Sequence, residues 1–359
     1  MELGKISSLV FYILFFSVSV FLLYLGNKKN SKMLKFMAIL IPILIGGLRY
    51  FVGTDYTNYI DYYTVYGSMP LESYLSKNGI FEILFYFIAR VSFFITHNYY
   101  LLFFVSNLLI VIFTFLAIET STIKNKYLIW LLFLFLYFPT FLNAVRQGIS
   151  IAITFYMITL LLNNENKKSF IVSLFSPLFH TSGAITILLY IMLYYLNKKV
   201  KKTRQNVIII SLILMLFVPM GFYLIHFIPY LNQYSKYESI IAEGNNYTFY
   251  LKAILLIILF IFYKGVEKQD KNTFYYYLIF ASEVVLMLLG FISPFIKRIT
   301  LYFSLGQILI LSCLVEIGAN DFSKNALKLL VIIYAISYFI LAYYILGQSD
   351  IFPFQTIKI

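Results

Sequence analysis

Cysteine is all but missing: the 359 residues contain one, Cys313. That excludes an intrachain disulfide and any cysteine metal cluster. The three histidines, His97, His180 and His226, lie far apart and show no zinc-site spacing. Charge is scarce as well, at 12% of residues, where a soluble domain carries about 25%. Acids are rarer than bases, 15 against 28, which leaves a net charge of +13. The lysines sit in short loops between apolar runs and form no patch, which argues against a nucleic-acid partner. No internal repeat, low-complexity tract or soluble domain is visible. Hydrophobic residues, by contrast, make up 61% of the chain, and the mean hydropathy is +0.85. This is the composition of an all-α polytopic membrane protein, a single integral membrane domain over residues 1–359.

Apolar runs long enough to span, or nearly so, cover 7–25, 34–50, 99–118, 127–143, 147–162, 168–180, 183–197, 206–226, 249–263, 273–293, 299–318 and 327–346. With the further run 81–96 they predict about 12–13 transmembrane or re-entrant helices. The first run has no small-residue cleavage site and is followed by Lys28, Lys29, Lys32 and Lys35, so it reads as a retained helix.

Six loops, 28–35, 119–126, 163–168, 197–204, 264–272 and 319–328, hold 18 of the 28 basic residues. Placing all six on the cytoplasmic side requires an even number of crossings between neighbours. Only 36–118 fails, with three runs. Either 81–96, which carries Glu82 and Arg90, does not cross, or the weakest loop, 119–126, breaks the rule. The first solution puts the loops 51–80 and 227–248, the turns 142–147, 180–183 and 294–298, and both termini on the outer side.

Only five of the basic residues are arginine. Arg49, Arg146 and Arg298 fall at the outer ends of membrane segments, where positive charge is disfavoured. A guanidinium presents a planar fork that binds phosphate oxygens in bidentate fashion, so three converging arginines would make a site for a strongly anionic group. The plainer alternatives are snorkelling anchors and partners for acids. Asn143, Arg146 and Gln147 share one helical face in "FLNAVRQGISIA", a polar patch between greasy runs. Prolines precede these places: Pro42, Pro139, Pro177 and Pro294. Each permits a helix break that opens a wet cavity near the surface.

The outer loop opens "GGLRYFVGTDYTNYIDYY", with Gly46 and Gly47 loosening the helix end and Gly53 allowing a tight turn before Asp55. Tyr56 and Tyr59 follow, suited either to sugar recognition or to an interfacial aromatic belt. His180, at a second outer turn, is a candidate general base or hydrogen-bond donor near neutral pH. Glu283 lies near mid-membrane, where an ionisable residue is functional, a partner for Arg90, or a protonated packing group.

The run Arg49 to Tyr56 with Tyr59, then Asn143-Ala144-Val145-Arg146-Gln147, then Phe179-His180-Thr181-Ser182, then Arg298-Ile299 with Tyr302, resembles in order the landmarks of the EpsG-like, Wzy-type polysaccharide (O-antigen) polymerases. The resemblance covers about 45 to 305 and implies a GT-C-like glycosyltransferase of the bacterial inner membrane, its active site facing the periplasm. Such enzymes join undecaprenyl-diphosphate-linked oligosaccharide repeat units into O-antigen or capsular polysaccharide. On this reading Arg49, Arg146 and Arg298 hold the diphosphate, with Asn143 and Gln147 as auxiliary donors. Asp55 or His180 activates the acceptor hydroxyl, and Tyr56, Tyr59 and Tyr237, with the 227–248 loop, bind glycan. No cofactor or metal is expected, and a chain-length regulator is a possible partner protein. A lipid-linked oligosaccharide flippase and an O-antigen ligase are the competing readings. Transporters tend to show inverted repeats and midplane charge, whereas only motif order separates polymerase from ligase.

Overall fold

The computed structural model describes residues 4–225, with side chains to 216, then 247–291 and 298–357. Among the described residues every apolar run of the sequence lies on helix. Among these residues the only extended pairing is an isolated bridge between Arg49 and Thr356. The fold is therefore an all-α polytopic membrane fold. Helices long and apolar enough to cross a membrane are Lys5–Lys28, Tyr100–Thr120, Val145–Leu162, Arg298–Ile317 and Asp321–Ile345; shorter apolar helices lie between them.

The chain divides into two compact units, 1–190 with 329–359, and 191–328. The first is built on α1 (Lys5–Lys28), α2 (Lys32–Gly47), α3 (Tyr56–Ser68), α4 (Leu71–Asn78), α5 (Ile83–Thr96), α6 (Tyr100–Thr120), α7 (Lys126–Leu136), α8 (Phe138–Asn143), α9 (Val145–Leu162) and α10 (Asn166–Phe175). One face of α1, Tyr12, Phe16, Ser19 and Leu23, is buried at helical spacing against α2 and α7. There Ser19 Oγ donates to Ala38 O (2.6 Å) and accepts from Trp130 Nε1 (2.8 Å), satisfying the chain's only indole.

α2 and α6 pack side by side. Their contact at one end is Lys35 with Glu119 (2.7 Å). At the other, Gly46 and Gly47 lie against Asn107 and Phe104, where a Cβ on Gly46 would come within 2.1 Å of Asn107 Oδ1. The two glycines thus serve close approach, not a loosened helix end.

Proline acts unevenly. The expected run 127–143 is broken at Tyr137, just before Pro139, into α7 and α8. A proline nitrogen cannot donate into the helix; Tyr343 OH stitches the break instead, bonding Leu136 O (2.6 Å) and Thr140 Oγ1 (2.8 Å). Pro177 likewise ends α10 in a single 3-10 turn. Pro42 sits inside α2, which continues through it, and Pro294 lies outside the described residues.

The lysine-rich loops of the first unit share one end. Glu119 takes Lys35 and also Lys126 (3.9 Å), and Asn163 Nδ2 donates to Thr120 O (2.6 Å). Because α2 leaves that end and α6 returns to it, residues 48–99 lie at the other. α5 starts there, Glu82 N donating to Pro177 O (3.2 Å). It also finishes there, since Tyr99, just beyond it, meets Tyr56 edge-on at 6.3 Å. Fourteen residues make a helix about 21 Å long, against a hydrocarbon core of about 30 Å. α5 is therefore too short to cross and has contacts at both termini to one end of the unit, the arrangement that the non-crossing reading of 81–96 requires.

Cysteines introduced at Lys77 and His97 are expected to react with an impermeant maleimide from the same face of intact cells. A cysteine at Lys124 should react only after permeabilisation. Cys313 is buried and gives little background. Labelling of positions 77 and 97 from opposite faces would refute the arrangement.

The second unit comprises the later part of α11 (Ala184–Lys199), then α12 (Arg204–Ile225), α13 (Tyr247–Ile261), α14 (Tyr263–Gln269), α15 (Thr273–Leu289), α16 (Leu305–Leu314) and the start of α17 (Asp321–Phe339). Its lysine-rich loops also gather. Tyr275 OH donates to Asn197 Oδ1 (2.8 Å), Lys202 lies over the Tyr275 ring, and Ile317 packs on Gly265. Inside this unit Glu283 is ion-paired with Lys252 of α13, both nearly inaccessible. The partner is Lys252 and not Arg90, which instead caps Met69 O.

Candidate functional site

The loop between α2 and α3, residues 48–55, is held from three directions at the end opposite the lysines. From within, Arg49 is wholly buried. Its guanidinium donates to Gly46 O, to Leu142 O (2.8 Å) and to Val52 O (3.3 Å), with the Phe103 ring 4.6 Å away. From α8, Asn143 Oδ1 accepts from Thr54 Oγ1 (2.9 Å) and Asp55 N (2.7 Å). Gly53, at φ +100°, holds a backbone conformation that side chains rarely adopt, and a Cβ added there would sit a tight 3.3 Å from Asn143 Cα. From the far end of the chain, Tyr50 N donates to Gln355 O (2.9 Å), Gly53 N to Asp350 O (3.0 Å) and Ile357 N to Leu48 O (3.0 Å). Asp55 is half-buried beside this turn, its Oδ1 accepting from Asn58 Nδ2 (3.2 Å).

Arg146 emerges where α9 begins just after the break that follows α8. Its side chain is 30% exposed and walled by Tyr62, Phe85 and Tyr59, at 5.1, 5.8 and 5.9 Å from ring centroids. One guanidinium nitrogen meets Glu82 Oε2 at 2.5 Å, while Nε is buried with no hydrogen-bond partner among the described residues. Its neighbour Gln147 is buried in α9.

Glu82 joins Arg146 to the third landmark. Its Oε1 lies 2.8 Å from His180 Nδ1 and accepts from Thr181 N (3.1 Å) and Thr181 Oγ1 (3.2 Å). Burial opposes ionisation of this carboxyl, yet the Arg146 guanidinium and the His180 ring outweigh it and hold its pKa down at about 2. A depressed carboxyl pKa contributes stability above the ordinary glutamate range near 4.3, lost only as pH falls through about 2. Glu82 therefore stays an acceptor-only carboxylate across the working range. It holds φ +59°, a left-handed conformation uncommon for a residue with a Cβ, and one that persists because its backbone and side chain are both tied down. Among the described residues no three His, Cys, Asp or Glu side chains converge as ligands would.

The structure thus brings together Arg49, Asp55, Asn143, Arg146, Gln147 and His180 at one end of the first unit. It gives two of the expected roles a different physical form. Arg49 has its fork engaged by backbone carbonyls. Tyr56 and Tyr59, 2% and 5% exposed, are wall rather than open sugar platforms: Tyr56 stacks on Phe103 (4.4 Å) and donates to Arg49 O, and Tyr59 OH receives Arg146 N. Arg298 is exposed at the start of its segment in the second unit. Tyr237 and all but Tyr247 and Thr248 of the 227–248 loop lie outside the described residues.

These are the residues that carried the resemblance, and a model of the EpsG family matches residues 32–356. The chain belongs to the EpsG family. That is a Wzy-like polysaccharide polymerase family, which assigns this member a polysaccharide polymerase-like role in general terms. No curated protein and no solved structure matches the chain. Glu82, the carboxylate at the centre of this cluster, lies in none of the four landmarks. Its signal in the sequence is an acid inside an otherwise apolar run, "GIFEILFY".

Proposed function

We propose that this protein extends a polysaccharide by glycosyl transfer between undecaprenyl-diphosphate-linked oligosaccharide repeat units, in the bacterial inner membrane and on its periplasmic face. The observation that carries the reading is the Arg146–Glu82–His180 cluster, which sets an anion-binding fork and a proton-handling ring on one carboxylate. The lysine-rich loops at the opposite end favour the outward face by the positive-inside rule.

In the reaction, an acceptor hydroxyl oxygen bonds to the anomeric carbon of the donor chain. The bond from that carbon to the lipid diphosphate breaks, and its electron pair leaves with phosphate. Fixed guanidinium charge in a low-dielectric site favours that departure. Arg146, backed by Gln147, faces the diphosphate, and Arg298 is proposed as a second fork. Arg49 and Asn143 shape the loop that presents Asp55, and either Asp55 or His180 takes the hydroxyl proton. The family resemblance extends the proposal to a GT-C-like architecture and a metal-independent transfer. It also suggests a glycan contact at Tyr237 and a chain-length regulator as partner.

The test is the purified full chain in liposomes with lipid-linked repeat units from its own host. A ladder of products on a gel supports the reading. Translocation of the lipid-linked unit without a ladder replaces it with a flippase, and transfer only when lipid A core is supplied replaces it with a ligase.

A further inference from the structure

Resting on the polymerase reading, we propose that Glu82 is a positioning residue that fixes His180 in the Nδ1–H tautomer, making Nε2 the atom that takes the acceptor's proton and leaving Asp55 outside the proton path. An ionised carboxylate only accepts hydrogen bonds, so a 2.8 Å contact from Glu82 Oε1 to His180 Nδ1 requires the proton to be on Nδ1. In a neutral imidazole the basic lone pair then lies on Nε2.

The same oxygen is fixed by two donors from Thr181, and the other oxygen by Arg146, so the carboxyl cannot rotate to offer the ring a different partner. Arg146 also keeps Glu82 charged and thereby prevents it from serving as the base itself. When Nε2 takes the hydroxyl proton, the new imidazolium charge forms against a carboxylate already in place. The hydroxyl oxygen bonds the anomeric carbon, and the electron pair of the breaking bond goes to the diphosphate beside Arg146. The proton afterwards passes from Nε2 to that diphosphate or to solvent. Asp55, by contrast, is met by the Asn58 amide, a group that relays no proton. Among the described residues, the titratable groups around the pair include Arg146 on α9 and Tyr59 and Tyr62 on α3.

Two measurements on the full chain in lipid nanodiscs test this. The chain has only three histidines, so His97→Asn with His226→Gln leaves His180 as the sole one. Ring carbon shifts of histidine-labelled protein then report its tautomer without disturbing Glu82. The Nδ1–H form is expected, and an Nε2–H form overturns the proposal whether or not the protein polymerises.

In the second measurement, Glu82→Gln is expected to lower kcat on the order of a hundredfold, the scale of general-base catalysis. The acid limb of the pH–rate profile should move to lower pH, because an imidazolium without its carboxylate loses its proton more readily. KM should change far less. A profile that moves in Asp55→Asn and stays in Glu82→Gln overturns the assignment. The Nδ1–H form in a protein that yields no ladder from lipid-linked units overturns the polymerase reading and, with it, the proton path, while the Glu82–His180 coupling stands.

Discussion

Arg146→Lys is expected to lower chain extension about a hundred- to a thousandfold, the cost of removing a preorganised donor to developing negative charge. The substitution keeps a cation beside Glu82, so the carboxylate remains paired and the fold survives. It removes the planar fork and with it Nε, the buried donor that has no partner among the described residues. A single ammonium drawn to Glu82 has little left to offer a diphosphate. The loss should fall mainly on kcat, since the interaction strengthens as the bond to phosphate breaks. Ladder formation by monodisperse Arg146→Lys protein within tenfold of wild type would remove Arg146 from the diphosphate site. Arg146→Ala is the weaker experiment. It strands a buried carboxylate, which destabilises by about 3–5 kcal/mol and confounds catalysis with folding.

For Arg49→Met the expected loss is stability. The stem length and apolar packing on Phe103 are preserved, but Gly46 O, Leu142 O and Val52 O lose their donor together. Each buried group left unmade costs about 1–3 kcal/mol. A fall in Tm on the order of 10 °C is expected for a unit of this size. The lone tryptophan, Trp130, packed in the same unit, provides a fluorescence signal for the unfolding scan. Were Arg49 a direct diphosphate ligand, Arg49→Met would melt as wild type does and fail only in the ladder assay. The two roles therefore predict opposite pairs of results.

The helices were legible because hydrophobic run length is a local property of the sequence. So was the broad site: Arg146 and His180 stand out as polar residues at the ends of apolar runs. Glu82 was not legible as their partner. Its contacts lie 64 and 98 residues away in sequence, and no periodicity reports a pairing at that range. Arg49 misled for a related reason. A guanidinium also donates to neutral carbonyls, and only the fold discloses that Leu142 and Val52 point theirs at it. Tyr56 and Tyr59 have the composition of a sugar platform, yet ring exposure depends on α5 and α6 packing over them. The breaks before Pro139 and at Pro177 differ from the unbroken passage at Pro42. The residue type is the same, and at Pro139 it is Tyr343, from the far end of the chain, that satisfies the carbonyl left open by the break.

The pairing of residues 350–357 with the loop at 48–53 bears on the order of synthesis. Leu48, Tyr50 and Gly53 are made early, and the segment that satisfies them is translated almost a chain length later. Until the ribosome has released residues 350–357, the loop that presents Asp55 lacks these backbone partners, however well α1 to α9 have already packed. A chain still being threaded into the bilayer thus carries this loop unbraced, and the bracing begins only when translation has delivered the 350–357 segment.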